Sequence, residues 1–289
     1  MDANLPVPSR NLAFVLAGGG ARGALQAGAL RVLLERGLRP DFLIGTSIGA
    51  VNAAFLAIHG FSASGLDLLD AAWDQASRMD ILPANYFMVA VRRMLGRSAA
   101  DPAHRLREFF IANGLVPDLC FSDLTELPLY IVSADLNSGQ PVIHGQSADD
   151  RVLDALLLST ALPPWVMPRR EQGRYSMDGG VVSNLPVEPA LRLGATHIIA
   201  LDLIDTREMF GSGPGLVTFL DRLSMTVEKR QSDLELALAR AQRIPLLYLG
   251  LLGEIPVPYW DFRHTVRLRT LGYETAQRLL DEPGALEEF

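Results

Sequence analysis

The chain is predicted to fold as an α/β protein, with a mainly parallel central sheet and helices packed on both faces. Three observations carry that prediction. Short apolar runs alternate with stretches of helical periodicity, two of those runs pass into helix through glycine-bearing turns, and 49% of the 289 residues are hydrophobic, ample for a core on either side of a sheet.

The first run, "NLAFVLA" (11–17), reads as a strand, and "ALQAGALRVLLERG" (24–37) as the helix that follows it. "DFLIGT" (41–46) and "IGAVNAAFLAIHG" (48–60) repeat that unit. Later, "HIIALDLID" (197–205) is a strand, about 215 to 241 a long helix, and "IPLLYLGL" (244–251) another strand. Residues 62–115 break the alternation with "ASGLDLLDAAWDQA", "NYFMVAVRRML" and "DPAHRLREFFIANG", helical patterns with no strand between them. No Pro-, Gly- or Ser-rich linker sets them apart. They read as a helical insertion in one domain spanning 1–289, with 206–289 as a C-terminal extension of helix and strand.

Composition narrows the function classes. A formal net charge of −7 supplies neither the basic footprint of a nucleic-acid binder nor a polybasic stretch that would seek anionic lipid. Cys120 is the single cysteine, so no internal disulfide is expected, and its default reading is a buried small hydrophobe. "MDANLPVPSR" lacks the basic start of an export signal, and the densest apolar stretch, Ala50 to Phe61, is too short to span a bilayer. The expectation is a soluble, cytoplasmic protein, with any membrane contact peripheral and apolar. Its oligomeric state is not legible.

Two motifs bear on chemistry. In "LAGGGARGALQAG" (16–28), Gly18, Gly20 and Gly23 satisfy GxGxxG at a strand-to-helix turn, the setting of a dinucleotide fingerprint. That reading requires an acidic residue at the far end of the second strand. Asp41 stands at the near end, and Thr46 and Ser47 occupy the far one. The second motif, Gly45-x-Ser47-x-Gly49, explains the occupant. A serine on a sharp strand-to-helix turn stands exposed at a helix N-terminus, and the flanking glycines let strand and helix approach closely. If the first two strands are parallel neighbours, the amides of the glycine loop converge beside Ser47 and suit a tetrahedral oxyanion better than a pyrophosphate, at about 3 kcal/mol per donor. A tight turn with close helix packing is the competing reading of Gly18, Gly19, Gly20 and Gly23.

A serine needs a base. His59, His104, His144 and His197 read as structural; His264, on a late loop, has the chain order of a Ser, Asp, His triad but follows an elbow placed too early for that fold. "YSMDGGVVSNLPV" offers Asp178, followed by Gly179 and Gly180, which bend the backbone and keep bulk away from the acid. A partly desolvated carboxylate within reach of the hydroxyl can act as base; plain Asp-Gly turn chemistry is the alternative.

Together "GGGARG", "GTSIG" and "DGG", in that order, resemble the patatin-like phospholipase family. The likeness extends through "VSADLNSGQPVI", "LLLSTALPPWV" and "SNLPVEPALRLGATHIIALD", so that residues 11 to 205 are covered specifically. The resemblance implies a three-layer α/β/α fold and a Ser/Asp dyad that cleaves acyl esters of lipids with no metal or other cofactor. It implies Ser47 as nucleophile, Asp178 as base and later acid, the amides around Gly19 and Gly20 as oxyanion donors in an oxyanion-hole loop of Gly18, Gly19, Gly20 and Gly23, and Arg22 shaping that loop. Gly45 and Gly49 would serve the elbow, and Gly179 and Gly180 the aspartate box. Ser159, Asn184 and Pro186 match family-like positions, but capping and turn formation explain them equally well.

Ile81 to Arg97 reads either as an amphipathic lid facing lipid or as a core helix with a solvated basic edge. Ile255 to Phe262 reads as an apolar loop beside the site or merely a packed one. An acyltransferase or thioesterase on a carrier or CoA thioester stays open, although Thr46 stands where such enzymes carry histidine. A catalytically idle regulatory or nucleotide-binding protein on the same fold also stays open.

Overall fold

The structure is a computed structural model that describes residues 10–79, 81–82, 102–163, 165–171, 173–205, 207, 216–254 and 256–289. Residues 83–97 of the 81–97 segment, and with them the choice between lid and core helix, lie outside those residues, as does the second helical pattern of the insertion at 85–95.

Eight strands form one sheet: β1 (Leu12–Leu16), β2 (Phe42–Thr46), β3 (Leu129–Asp135), β4 (Gln140–His144), β5 (Arg169–Glu171), β6 (Arg174–Asp178), β7 (His197–Asp202) and β8 (Leu246–Gly250). Their order is β5-β6-β3-β2-β1-β7-β8, with β4 paired to β3 off that path. From β3 through β8 the neighbours β3-β2-β1-β7-β8 are parallel, whereas β4, β6 and β5 pair antiparallel at one edge. The buried central strands are continuous apolar runs such as "LAFVL", as a sheet covered on both faces requires.

The helices are α1 (Gly23–Glu35), α2 (Ile48–His59), α3 (Ala63–Ser77), α4 (Pro102–Ala112), α5 (Val152–Ser159), α6 (Val187–Arg192), α7 (Leu216–Ala241) and α8 (Thr265–Leu280). On one face Leu25, Leu30, Leu56, Leu66, Trp73, Phe110 and Leu268 join Phe14 and Leu43 of the sheet in one apolar cluster. Two helices of the predicted insertion, α3 and α4, thus pack into the same core as α1 and α2. On the other face Val187 and Ala190 of α6 and Leu236 and Ala239 of α7 cover Ala13, Val15, Ile44 and Ile198. The result is the helix, sheet, helix layering that the motif resemblance implied.

The last helix, α8, returns across the whole chain to lie on α1. Its approach is close because a Cβ at Gly28 would stand 2.0 Å from the Arg269 carbonyl oxygen and one at Gly272 2.0 Å from that of Leu25. Among the described residues no helix is long and apolar enough to cross a membrane. Cys120 departs from its reading as a buried hydrophobe: it is half-exposed in an isolated bridge to Arg151, with Sγ 3.6 Å from the Asp118 carbonyl oxygen.

Candidate active site

The C-terminal ends of β1 and β2 lie side by side in register, Leu16 opposite Gly45. The chain leaves β2 through Ser47, whose φ of 53° and ψ of −122° are rare for a residue with a side chain and cost on the order of 1–3 kcal/mol. Such a bend needs bare neighbours. A Cβ at Gly45 would lie 2.4 Å from the carbonyl carbon of Gly49, and one at Gly49 2.2 Å from the Leu16 carbonyl oxygen. The strained peptide is tied down from outside: the Ser47 amide donates to Ser159 Oγ at 2.8 Å, and that hydroxyl donates in turn to the Val132 carbonyl at 2.7 Å. Thr46 adds a bond from its hydroxyl to the Ser183 carbonyl at 2.8 Å.

Asp178 arrives from the antiparallel edge. β6 enters the sheet beside β3 from the rim where the parallel strands end, and it stops with Asp178 opposite Ser133, one register step beyond the Val132 that faces Thr46. That reversal delivers the carboxylate to the rim of the elbow. Ser47 Oγ donates to Asp178 Oδ2 at 2.6 Å, and the Gly180 amide donates to Oδ1 at 2.8 Å. The side chain is buried, and desolvation lifts its pKa to about 6 against the opposing pull of the Ser47 and Gly180 hydrogen bonds. Gly179 passes so close beneath β3 that its Cβ would lie 2.5 Å from the Val132 carbonyl oxygen.

The glycine loop lies against this pair: a Cβ at Gly18 would stand 3.3 Å from Ser47 Cβ. Its amides divide into two sets. Gly18 donates to the Asn184 carbonyl at 3.0 Å and Gly23 to that of Gly20, so the two outer donors expected from the motif are already engaged. The amides of Gly19 and Gly20 have no acceptor among the described residues, and both glycines line the cavity beside Ser47. The two amides left without an acceptor are those around which the resemblance centres the oxyanion donors. Arg22 is buried, with Nε donating to the Gly19 carbonyl at 3.3 Å and the guanidinium 4.4 Å above the ring of Tyr259. A solvated arginine at a helix start, the alternative for this residue, does not describe it.

Ser47 and Asp178 open onto a cavity of about 890 Å³. Val51, Phe55, Leu69, Trp73, Phe109 and Trp165 are among the apolar groups that line it, with Tyr259, Trp260 and Phe262 of the 255–262 loop. That loop is accordingly beside the site. Ile81 and Leu82, the described start of the 81–97 segment, also line it. Trp73 and Asn52 keep their polar atoms paired, Trp73 Nε1 donating to Asn52 Oδ1 at 3.1 Å and Asn52 Nδ2 to Gln26 Oε1 at 2.9 Å.

No histidine lines the cavity among the described residues. His264 is half exposed and pairs with Asp261 at 3.5 Å. His59 contacts the Asn113 carbonyl at 3.0 Å, His144 the hydroxyl of Ser133 at 2.8 Å, and His197 that of Thr196 at 3.0 Å. Asp41 accepts from the Leu12 amide at 2.6 Å, holding the start of β1 at the end of the sheet away from the loop. The described residues contain no group of three or more His, Cys, Asp or Glu side chains placed to hold a metal.

Two further groups belong to the site, one of them with no signal in the sequence. Glu228, on α7, lines the cavity, and burial together with the nearby carboxylates of Asp178 and Asp202 raises its pKa to about 7, while Arg22 and the Tyr259 hydroxyl oppose the rise. Nothing in the pattern of a long amphipathic helix separates this glutamate from a solvated one. Ser159 matches a family-like position that capping explains equally well; its bond to the elbow amide spans 112 residues of chain and has no local signal.

The sequence model of the patatin-like phospholipase family matches residues 14–191. Patatin-like phospholipase domain-containing protein 7 of Rattus norvegicus is 33% identical over 195 residues, 66% of this chain and 13% of that protein. An uncharacterized NTE family protein of Mycobacterium tuberculosis is 29% identical over 241 residues, 81% of this chain and 38% of that one. The chain thus spans about an eighth of the length of the rat relative and under half of the mycobacterial one. Among solved structures, VipD from Legionella pneumophila is similar over 95% of this chain and 67% of that one, with a TM-score of 0.48 and 16% identity, too distant to carry functional weight.

Proposed function

We propose, from the premise that this chain belongs to the patatin-like phospholipase family, that it hydrolyses carboxylic esters of lipids through Ser47 and Asp178. The observation that supports the reading most is the 2.6 Å hydrogen bond between the two side chains at the mouth of an apolar cavity.

In the proposed reaction Asp178 takes the Ser47 proton as Oγ attacks the ester carbonyl carbon. The C=O electron pair moves onto oxygen, and that oxyanion meets the unengaged amides of Gly19 and Gly20. Collapse breaks the bond to the alkoxide, which leaves with the proton held by Asp178. Asp178 then deprotonates a water that attacks the acyl-enzyme, and Ser47 recovers its proton as the fatty acid departs. A carboxyl with a pKa of about 6 suits both halves, since it is ionised at neutral pH yet basic enough to accept the proton. The apolar walls suit an acyl chain, and the absence of any metal from this sequence of steps is part of the proposal.

Phospholipids, lysophospholipids and acylglycerols all fit that description. Peripheral contact with a lipid surface is also proposed. Phe219, Leu223 and Val227 stand one turn apart along an exposed stripe of α7, and the latter two line the cavity. A fluorophosphonate probe should label Ser47, and fatty acid should be released from a mixed lipid extract but not by Ser47→Ala protein. Failure of the folded protein to be labelled and to release fatty acid would reject the hydrolase reading.

A further inference from the structure

Residues beyond 191 lie outside the family match, yet several of them, Glu228 and Tyr259 included, line the same cavity as Ser47. Tyr259 touches the glycine loop in two ways. Its carbonyl oxygen accepts from the Ala21 amide at 2.8 Å, and its ring lies 4.4 Å beneath the Arg22 guanidinium. Its hydroxyl also reaches Glu228 Oε2 at 3.4 Å, linking this arrangement to α7. The carbonyl contact explains the third glycine of the loop: Gly20 has a φ of 56°, and a Cβ there would lie 2.4 Å from the Tyr259 carbonyl oxygen.

Arg22 passes this hold on to the loop. The Gly19 carbonyl accepts from the Arg22 amide at 3.2 Å and from Arg22 Nε at 3.3 Å. In a trans peptide the C=O and the following N–H point in opposite directions. Drawing the Gly19 carbonyl toward Arg22 therefore aims the Gly20 N–H the other way, where it has no acceptor among the described residues. The direction of that N–H depends on where the guanidinium sits, and a cation above an aromatic face is held most strongly when desolvated, as the buried Arg22 is.

We infer that Tyr259 is a positioning residue for ester hydrolysis: its ring fixes Arg22, Arg22 fixes the Gly19–Gly20 peptide, and the Gly20 amide is thereby held on the developing oxyanion. This rests on the hydrolase reading and adds to it a part of the site that the matched segment does not contain. The aromatic face is the feature that matters, because the main-chain contact to Ala21 survives any side-chain replacement.

The test uses the full chain and a short-chain, water-soluble aryl ester, with Tyr259→Leu, Tyr259→Met and Tyr259→Phe. Misplacing a catalytic donor by about 1 Å costs up to about 100-fold in rate. Tyr259→Leu and Tyr259→Met should lower kcat by about 10- to 100-fold with KM within about twofold, whereas Tyr259→Phe, which keeps the ring, should stay within about threefold of the parent. Thermal melting identifies any variant that fails to fold, and the methionine variant preserves the comparison if the leucine one does. The inference is overturned if the folded Leu or Met protein keeps its kcat, if only KM rises, or if Phe is as damaged as Leu. A parent protein that neither turns over the ester nor is labelled by fluorophosphonate would instead reject the hydrolase reading itself.

Discussion

The amino-terminal strand-helix units and the carboxy-terminal segment face the same cavity, but they contribute to it in different ways. From Gly18 to Gly49 the contribution is backbone: two amides with no acceptor among the described residues, a strained serine and glycines without which strand and helix would collide. From Leu223 to Phe262 it is side chain: apolar groups, a carboxyl and aromatic rings carried on an ordinary helix and loop. The difference teaches which parts of a site leave a record in sequence. Unusual backbone geometry demands particular residues at fixed spacing, whereas a side chain that reaches a site from an ordinary helix can be one of many and needs no neighbours of special type.

The sharpest way to break this comparison is to remove the dyad. Ser47→Ala should lower kcat for a soluble aryl ester by about 10⁴-fold or more, and Asp178→Asn nearly as much, because base and later acid are lost together. The two should differ in stability. The folded-state pKa of Asp178 is about 6 against an ordinary 3.8, so the folded protein binds that proton more tightly than the unfolded chain does. Ionisation of Asp178 therefore costs stability, progressively between about pH 4 and 6 and fully above, by up to about 3 kcal/mol. Asp178→Asn should melt higher than the parent at pH 8 and lose that advantage at pH 4, measured by calorimetry, while Ser47→Ala gains no such increment. Equal melting temperatures for parent and Asp178→Asn at pH 8 would contradict the buried, ionised carboxyl.

Smaller effects probe how the elbow is held. Ser159→Ala leaves the elbow amide without its acceptor, and kcat should drop by about 10-fold or more with KM little changed, since the strained peptide then relaxes away from Asp178. The pH profile of kcat/KM for the parent should fall on the acid side with a midpoint near 6, as protonation removes the base. Glu228→Gln should leave that acid limb in place and act above pH 7, where the parent glutamate carries charge in the cavity in which the proposed oxyanion forms; a rate gain of a few-fold at pH 8 is expected. Smallest of all is His264→Ala, which should keep essentially full activity. A loss comparable to that of Ser47→Ala would move the base from Asp178 to His264 and undo the assignment.

Much of the fold was legible because its periodicities are strong. β1, β2, β7, β8 and the helices α1, α2 and α7 fall where the apolar runs and helical spacing place them. The antiparallel edge was not: β5 is three residues of charged sequence, "RRE", that pairs only because β6 lies beside it. Its neighbour β6 carries Asp178, and no local pattern states that the strand runs against the others and ends at their rim. The glycine pattern alone does not divide its amides either: the resemblance points to those around Gly19 and Gly20, and what engages Gly18 and Gly23 is what the folded chain puts opposite them.

The class of fold, the strand-turn-helix at Ser47 and the bare glycine loop are written in the order of the residues, because those depend on interactions between residues within a few positions of one another. Only the tertiary structure decided that Asp178 meets Ser47 across 131 residues, that Ser159 anchors the elbow, and that Glu228 and Tyr259 reach the same cavity. Such meetings follow from sheet order and helix packing, which are set by the burial of the whole apolar surface at once and leave no mark at the individual positions they bring together.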